Sequence, residues 1–340
     1  MTDVQDPKIA AAARALEAGQ LVAFPTETVY GLGADAENPA AVAAIYAAKG
    51  RPQDHPVIVH VAPGASLDYW CADIPHEAYQ LADAFWPGPL TMILKRASNI
   101  PDAVSGGQDT VGIRCPSHPV AIALLQAFKG GKGGVAAPSA NKFGHVSPTT
   151  AQHVRDEFGD DAGIAVLDGG QSEVGIESTI VDLSRLATHG PVLLRPGHID
   201  AEAIAAVIDQ VPARPDAAAP RASGTLESHY APHTPVAMQD TATLMNTLTR
   251  LQQAGRKVAL IHYSAFPAVH ADVWLPANPA GFAHALYAAL RAMDGVQADL
   301  ILVEAPPQDG AWLGVNDRLR RAAHGSTGIV HGLINKTIDL

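Results

Sequence analysis

Short apolar runs alternate with helical patterns along residues 1–211, which predicts an α/β layer architecture built on a twisted sheet. Strands are expected at residues 21–24, 57–61, 91–94, 111–114, 134–137, 165–167, 179–181 and 193–195. Helices are expected at residues 40–49, 120–128, 149–158 and 201–208. Ser147 followed by Pro148 has the form of a helix start, with serine as the cap and proline in the first turn.

Residues 212–235 contain five prolines, which exclude a continuous helix or a central strand and predict a linker. The alternation then resumes, with helices expected at residues 243–254, 279–293 and 313–323 and strands at residues 257–263 and 299–303. This pattern predicts a small βα-repeat domain with a parallel sheet over residues 236–340. It lacks a Gly-x-Gly-x-x-Gly fingerprint, so the domain's Rossmann-like pattern does not imply a dinucleotide.

The composition narrows the possible functions. The chain of 340 residues is 47% hydrophobic and 17% charged, as in ordinary globular proteins. Its net charge of −11 argues against a general nucleic-acid binder, so a phosphate site would have to be a local island of positive charge. Cys71 and Cys115 are too few for a disulfide framework. The absence of a signal-peptide pattern or a long apolar run favours a reduced, cytoplasmic location without membrane insertion.

Two segments carry the groups that hold a triphosphate. Lys49 and Arg51 place two cations around a glycine at the end of a predicted helix, and Ser139 and Asn141 follow a small apolar strand and a proline. Cations on one loop and hydroxyl and amide groups on another suit phosphate binding. Taken alone, Lys49 and Arg51 would fit a solvated helix end, where cations are favourable.

Other polar groups have two interpretations each. Residues 25–33 form either a strand-to-helix turn with capping threonines or a ligand loop at the sheet edge. His60 lies inside an apolar strand, either as a core residue or at a pocket edge. Arg114 ends another strand, where an internal carboxylate or a substrate carboxylate would pair with it. Arg195 ends a third strand, and residues 227–232 are unusually aromatic for a linker.

Taken together, these segments resemble the YrdC-like family, and specifically its two-domain threonylcarbamoyl-AMP synthases. The resemblance rests on residues 26–32, 49–51, 56–60, 86–91, 111–114, 138–141, 177–179, 195–197 and 229–232. It covers nearly all of residues 8–235 in order, which makes it far more specific than one short motif. It implies a mixed-sheet catalytic domain at residues 1–211, a linker over the active site at 212–235, and a smaller Rossmann-like domain at 236–340.

The family joins L-threonine, bicarbonate and ATP into L-threonylcarbamoyladenylate and releases pyrophosphate. The product serves the threonylcarbamoyladenosine modification of tRNA, with other proteins as the downstream transferases. The resemblance implies a reacting centre at Lys49, Arg51, Ser139 and Asn141. It implies a threonine site at Thr28, His60, Arg114, Ala137 and Ser178. It implies an ATP site at Arg51, His55, Thr110, Ser139, Ser147, Arg195 and Tyr230.

Magnesium is expected to arrive with ATP and to be held mainly by phosphates and water, since no carboxylate cluster suggests a protein cage. His55 stands where relatives often have asparagine, and residues 222–227 lack the basic residues of some relatives. Two other functions occur among relatives: binding of double-stranded RNA, and a non-catalytic regulatory role. The negative net charge opposes the first, and the intact set of Lys49, Arg51, Ser139 and Asn141 opposes the second.

Overall fold

The computed structural model describes residues 6–227 and 229–335, and the chain divides into two compact units. Within the described residues, the first unit consists of residues 6–143 and 147–225. The second consists of Gly144–Val146 and of the chain from Leu226 onward. The proline-rich segment is therefore shared: residues 212–225 belong to the first unit and residues 226–235 to the second.

The first unit is built on a mixed sheet of ten strands in the described part of the chain. These strands are β1 (Val22–Pro25), β2 (Tyr30–Asp35), β3 (Ile58–Val61), β4 (Cys71–Ala72), β5 (Leu90–Arg96), β6 (Thr110–Arg114), β7 (Gly134–Ala136), β8 (Ala165–Val166), β9 (Thr179–Asp182) and β10 (Val192–Arg195). Their order is β10-β9-β5-β6-β3-β7-β2-β1-β8, with β4 paired to β5. The predicted mixed-sheet α/β fold is confirmed.

The helices of this unit connect and cover the strands. They are α1 (Pro7–Glu17), α2 (Pro39–Lys49), α3 (Leu67–Trp70), α4 (His76–Phe85), α5 (Asp102–Ser105), α6 (Pro119–Ala127), α7 (Ala151–Phe158), α8 (Leu186–His189) and α9 (Ala201–Ile208), with short 3₁₀ turns at Phe128–Gly131 and Asp160–Ala162. Helix α2 begins where the Asn38 side chain accepts from the amides of Ala40 and Ala41. It ends at Gly50, whose φ of 64° suits a residue without a Cβ.

Side-chain alternation along the strands separates two faces of the sheet. One face packs against α2, α4, α7 and α9 and forms a large core that includes Val59 and Ile113. On the opposite face, α1 and α6 cover the region around Phe24. The rest of that face carries Ile58, Ile93 and Ile180, and it is covered by alanines of the proline-rich segment, Ala219 and Ala222. Residues 212–225, which we call the strap, therefore cover this part of the sheet in place of a helix.

One local prediction is wrong, and one of two open alternatives is excluded. Helix α7 begins after Thr150, whose side chain accepts from the His153 amide, because the Ser147 hydroxyl donates to Glu177 instead of capping a helix. The chain after β1 does not enter a helix: β2 returns antiparallel to β1. The hydroxyl of Thr26 donates to the Val29 carbonyl (2.6 Å) and so closes a tight turn between the two strands.

The second unit contains a parallel sheet, as predicted. Its strands are β11 (Val236–Gln239), β12 (Val258–His262), β13 (Ala271–Trp274) and β14 (Leu300–Glu304), in the order β11-β14-β12-β13. Its helices are α10 (Thr241–Gln253), α11 (Pro279–Asp294), α12 (Leu313–Ala322) and α13 (Ile329–Asn335), with a 3₁₀ turn at Gly310–Trp312. The apolar runs did not reveal β11 and β13, which are half-exposed and short.

Across the described residues, the helices are all too short or too polar to cross a membrane.

Candidate functional site

The strand register brings His60 and Arg114 together. Strands β3 and β6 are parallel neighbours in which His60 lies opposite Arg114 and Ile58 lies opposite Gly112. These residues share the face that the strap covers, because they alternate with the core residues of β3 and β6. A Cβ at Gly112 would lie 3.1 Å from the Ile93 side chain, so a larger residue at this position would crowd Ile93 on this face of the sheet.

Arg114 is held by an acid of its own chain. One guanidinium nitrogen (Nη2) lies 2.6 Å from Glu27 Oε1, and Nη1 lies 2.9 Å from the Thr28 hydroxyl. Both side chains of the ion pair are 4% exposed, and the Ser117 amide donates to the second Glu27 oxygen at 3.0 Å. The structure therefore shows the internal carboxylate partner that was one alternative for Arg114. It also places Thr28 directly beside the guanidinium, as a shared ligand site requires.

His60 is a buried and neutral imidazole. Burial, together with the nearby Arg114 charge, lowers the pKa of His60 to about 3. The Phe24 ring packs edge-on against it with a centroid distance of 6.1 Å. Among the described residues, its Nδ1 atom has no hydrogen-bond partner. A buried ring nitrogen of this kind can donate to or accept from a small ligand without adding charge.

Ser178 and Arg195 form a second polar cluster on the neighbouring strands. The Ser178 hydroxyl lies 2.8 Å from that of Thr91 and accepts from Arg195 Nη2 at 3.0 Å. Arg195 also donates through Nε to the Ser178 carbonyl and through Nη1 to the Ser223 carbonyl of the strap. Arg195 therefore links the strap to the sheet while its guanidinium stays 3% exposed.

Ala137 lies next to this face, but its neighbour Ala136 does not. The Ala137 amide donates to the Ile58 carbonyl at 2.9 Å, and its side chain belongs to the cluster around Phe24. Ala136 packs into the core on the opposite face of the sheet. Ala136 and Ala137 therefore do not line one pocket, because consecutive residues of an extended chain point in opposite directions.

Lys49 is buried, which contradicts a solvated helix end. Its ammonium donates to the carbonyls of Ser139 (2.6 Å) and Asn141. Burial, reinforced by the neighbouring charge of Arg51, holds the pKa of Lys49 well below its ordinary value of 10.5. The cation loop and the Ser-Ala-Asn loop predicted to act together are thus brought into contact, through main-chain oxygens of the second loop.

Arg51 is also buried, and it reaches the strap. Its Nη2 atom donates to the Pro56 carbonyl at 2.7 Å and to the Ser223 hydroxyl at 3.3 Å. His55 lies close by and partly exposed, with its ring 5.6 Å from the Phe143 ring. Burial and the Arg51 charge lower the pKa of His55, so this ring is also neutral at physiological pH.

Three further predicted residues of the first unit are Ser147, Asn141 and Thr110. The Ser147 hydroxyl donates to Glu177 Oε1 at 2.6 Å, and both side chains are buried. The Asn141 side chain donates to the Lys142 carbonyl at 2.7 Å. Thr110 is the first residue of β6 and alternates onto the same face as Arg114.

Tyr230 belongs to the second unit and is 1% exposed there. It adopts a positive φ of 60°, and its ring packs against the rings of His229 (4.1 Å between centroids) and Tyr287 (5.6 Å). Its role toward ATP stays a prediction.

Glu27, Thr91, Glu177 and Ser223 were not predicted as site residues. Glu27 and Glu177 lie inside the segments that carry the family resemblance, and that position was the available signal. Ser223 offered no signal in the sequence beyond its place in a proline-rich segment. It lies in residues 222–227, which lack the basic residues of some relatives, yet it contacts both Arg51 and Arg195.

A cavity of about 390 Å³ opens elsewhere on the first unit. It is lined by Val61, Leu67, Ala82, Trp86 and Cys115, among others, and by none of the predicted site residues. Val61 and Cys115 directly follow His60 and Arg114, so this cavity lies on the reverse face of the same two strands.

The comparisons with known proteins agree with this architecture. Residues 14–197 match the Sua5/YciO/YrdC family, whose description is telomere recombination. Residues 199–324 match the C-terminal domain of threonylcarbamoyl-AMP synthase. The chain belongs to the threonylcarbamoyl-AMP synthase family. The predictions of this family, of its two-domain fold and of an enzyme are confirmed.

Members of the family from distant organisms match almost the whole chain. The threonylcarbamoyl-AMP synthase of Pyrococcus abyssi is 38% identical over 333 residues, covering 94% of this chain and 95% of that protein. The one from Bacillus subtilis is 40% identical over 335 residues, covering 94% of each. The crystal structure of P. abyssi Sua5 complexed with L-threonine superposes with a TM-score of 0.85 at 38% identity, covering 93% of this chain and 94% of that one.

Proposed function

We propose that this family member makes L-threonylcarbamoyladenylate from L-threonine, bicarbonate and ATP, releases pyrophosphate, and thereby supplies the threonylcarbamoyladenosine modification of tRNA. The observation that carries the proposal is the concentration of four buried cations, Lys49, Arg51, Arg114 and Arg195, in a chain of net charge −11. Clustered positive charge attracts and holds anionic ligands, and the proposed substrates are anionic.

The threonine subsite would use the face around Arg114. The guanidinium and the Thr28 hydroxyl, 2.9 Å apart, are placed to bind the threonine carboxylate together. This requires Arg114 to share its charge between Glu27 and the substrate. The neutral His60 ring would bind a polar group of threonine through Nδ1 without repelling a substrate amine.

The chemistry then needs two bond-forming steps. The deprotonated threonine nitrogen attacks the bicarbonate carbon, and water leaves to give a carbamate. A carbamate oxygen next attacks the α-phosphorus of ATP, the bond to the β-phosphate oxygen breaks, and pyrophosphate leaves. Negative charge accumulates in the second step, and Lys49 and Arg51 would stabilise it electrostatically. The strap that covers the sheet face would exclude water from the unstable carbamate.

Magnesium fits this site as an ion held mostly by substrate. Over the residues that the structure describes, no group of three or more His, Cys, Asp or Glu side chains could hold a metal ion. The oxygen donors that would complete its shell are those of Ser147 and Glu177, which suit a hard cation. When bound with ATP, magnesium would neutralise part of the charge on the triphosphate.

The test is pyrophosphate release in reactions that omit one substrate at a time. We expect release to require L-threonine, bicarbonate and ATP together, and mass spectrometry to detect the adenylate. Pyrophosphate release that continues at the full rate in bicarbonate-free buffer would rule out the carbamate step. Tight binding of double-stranded RNA in a salt titration, without adenylate formation, would favour the alternative function.

A further inference from the structure

Three residues of the predicted ATP-binding stretch belong to the second unit. Gly144–Val146 group with that unit, whereas the residues on either side of them group with the first. In the chain, these three residues lie between Asn141 and Ser147, two of the predicted site residues. Whatever holds Gly144–Val146 therefore limits where the next residue, Ser147, can lie.

One face of helix α11 holds this segment. Tyr287, Arg291 and Asp294 are spaced four and three residues apart, so they lie on the same side of the helix. The Arg291 guanidinium donates to the Val146 carbonyl. Asp294 accepts from the amides of His233 (3.0 Å) and Thr234 (2.7 Å), and Tyr287 packs against the Tyr230 ring.

The two bound segments also contact each other. The Ala231 amide donates to the Gly144 carbonyl at 2.9 Å, and the rings of His145 and His233 pack with centroids 5.0 Å apart. Gly144–Val146 and residues 229–234 therefore form one structure on α11, which we call the α11 clamp.

Helix α12 contacts Tyr230 of the α11 clamp and Leu226, which precedes the clamp in the chain. The Arg321 side chain donates to the Leu226 carbonyl, and its position is fixed by Asp317, which accepts from Arg321 Nε at 2.9 Å. The Arg318 guanidinium carbon lies 5.6 Å from the Tyr230 ring centroid, within the range of a cation–π contact. These arginines are almost fully buried, so this contact is a built feature of the unit.

We propose that the α11 clamp, with Arg291 as its central positioning residue, orients the chain that leads into Ser147. Arg291 fixes the Val146 carbonyl, and through the peptide bond it limits Ser147, which the proposed function assigns to the magnesium ion that accompanies ATP. The inference rests on that proposed function, and it gives Arg291 a role in ATP binding without a contact to the nucleotide.

The test compares Arg291→Met with Arg291→Lys and with Arg250→Met in the full-length chain. Arg250 is exposed on helix α10 of the same unit and controls for loss of an arginine. We expect Arg291→Met to raise the KM for ATP about tenfold or more while the KM for threonine stays within about twofold. Lysine can still reach the carbonyl, so Arg291→Lys should recover most of the loss. Arg250→Met should behave as wild type.

Hydrogen exchange of the Ala231 amide, measured by NMR, tests the clamp without any activity. This amide donates to Gly144, so it should exchange faster in Arg291→Met than in Arg250→Met. Unchanged exchange would overturn the clamp. Faster exchange with an unchanged KM for ATP, or equal losses for ATP and threonine, would overturn the positioning role. If the wild-type protein makes no adenylate, the proposed function fails while the exchange result still decides whether the clamp exists.

Discussion

The buried pair of Glu27 and Arg114 gives the sharpest quantitative prediction. In Glu27→Gln, the side chain keeps its shape and one acceptor but loses the charge that balances the guanidinium. Both partners are 4% exposed, so solvent does not screen the loss. Removing one partner of a buried ion pair costs about 3–5 kcal/mol, and we expect about 3 kcal/mol because the Thr28 contact remains.

The measurement is urea unfolding of the full chain, with thermal unfolding beside it. A loss of about 3 kcal/mol corresponds to a melting temperature lowered by roughly 6–12 °C for a unit of this size. The control is Asp73→Asn, the same chemical change in an exposed ion pair with Lys95, whose side chains are 74% and 51% exposed at 3.0 Å. That substitution should cost about 1 kcal/mol or less.

Adding L-threonine connects this pair to function. If Arg114 binds the substrate carboxylate, threonine gives the variant's guanidinium a new anionic partner. Threonine should then stabilise Glu27→Gln more than wild type, and a tenfold tighter complex would add about 1.4 kcal/mol at saturation. A loss below about 1 kcal/mol without ligand would refute the reasoning about burial. An equal effect of threonine on both proteins would refute the role of Arg114 in carboxylate binding.

Three further predictions concern the cations, the strap and a histidine. Lys49→Ala and Arg51→Ala should each lower turnover by about one hundredfold or more, measured as adenylate formation. Because both side chains are buried, folding of each variant is checked first, and normal turnover in a folded variant would contradict the role. A chain ending at residue 211 should be less stable than one ending at residue 225, because Ala213 pairs with Val192 of β10 and Ala219 and Ala222 cover the sheet face. Equal unfolding midpoints would show a passive strap. His60 has a pKa of about 3 in the folded chain and an ordinary value of 6.5, so the unfolded state binds more protons between these values, and the stability present above pH 6.5 is lost as the pH falls toward 3. His60→Asn should reduce this acid sensitivity in urea unfolding. A His60 ring that titrates between pH 5 and 8 by NMR would contradict the prediction.

The sequence by itself determined the periodic part of this protein. Apolar runs located strands such as β3 and β6, and the helical pattern that ends at Gly50 located helix α2 within one residue. These features depend on neighbours in the chain, which is why local pattern reveals them. The same pattern failed for the turn after β1 and for the start of α7. There, the hydroxyls of Thr26 and Ser147 donate hydrogen bonds to groups that the local pattern does not specify.

The family and the set of polar residues could also be read from the sequence, but their pairing could not. Arg114 had two possible partners, and only the fold brought Glu27, 87 positions away, to its guanidinium. Lys49 looked like a solvated helix end until the Ser139 loop was seen to bury it. Burial and partner choice depend on which distant segments meet, and sheet register decides that. For the same reason, only the tertiary structure showed that Gly144–Val146 are held by helix α11, because a backbone carbonyl carries no mark in the sequence of the side chain that will bind it.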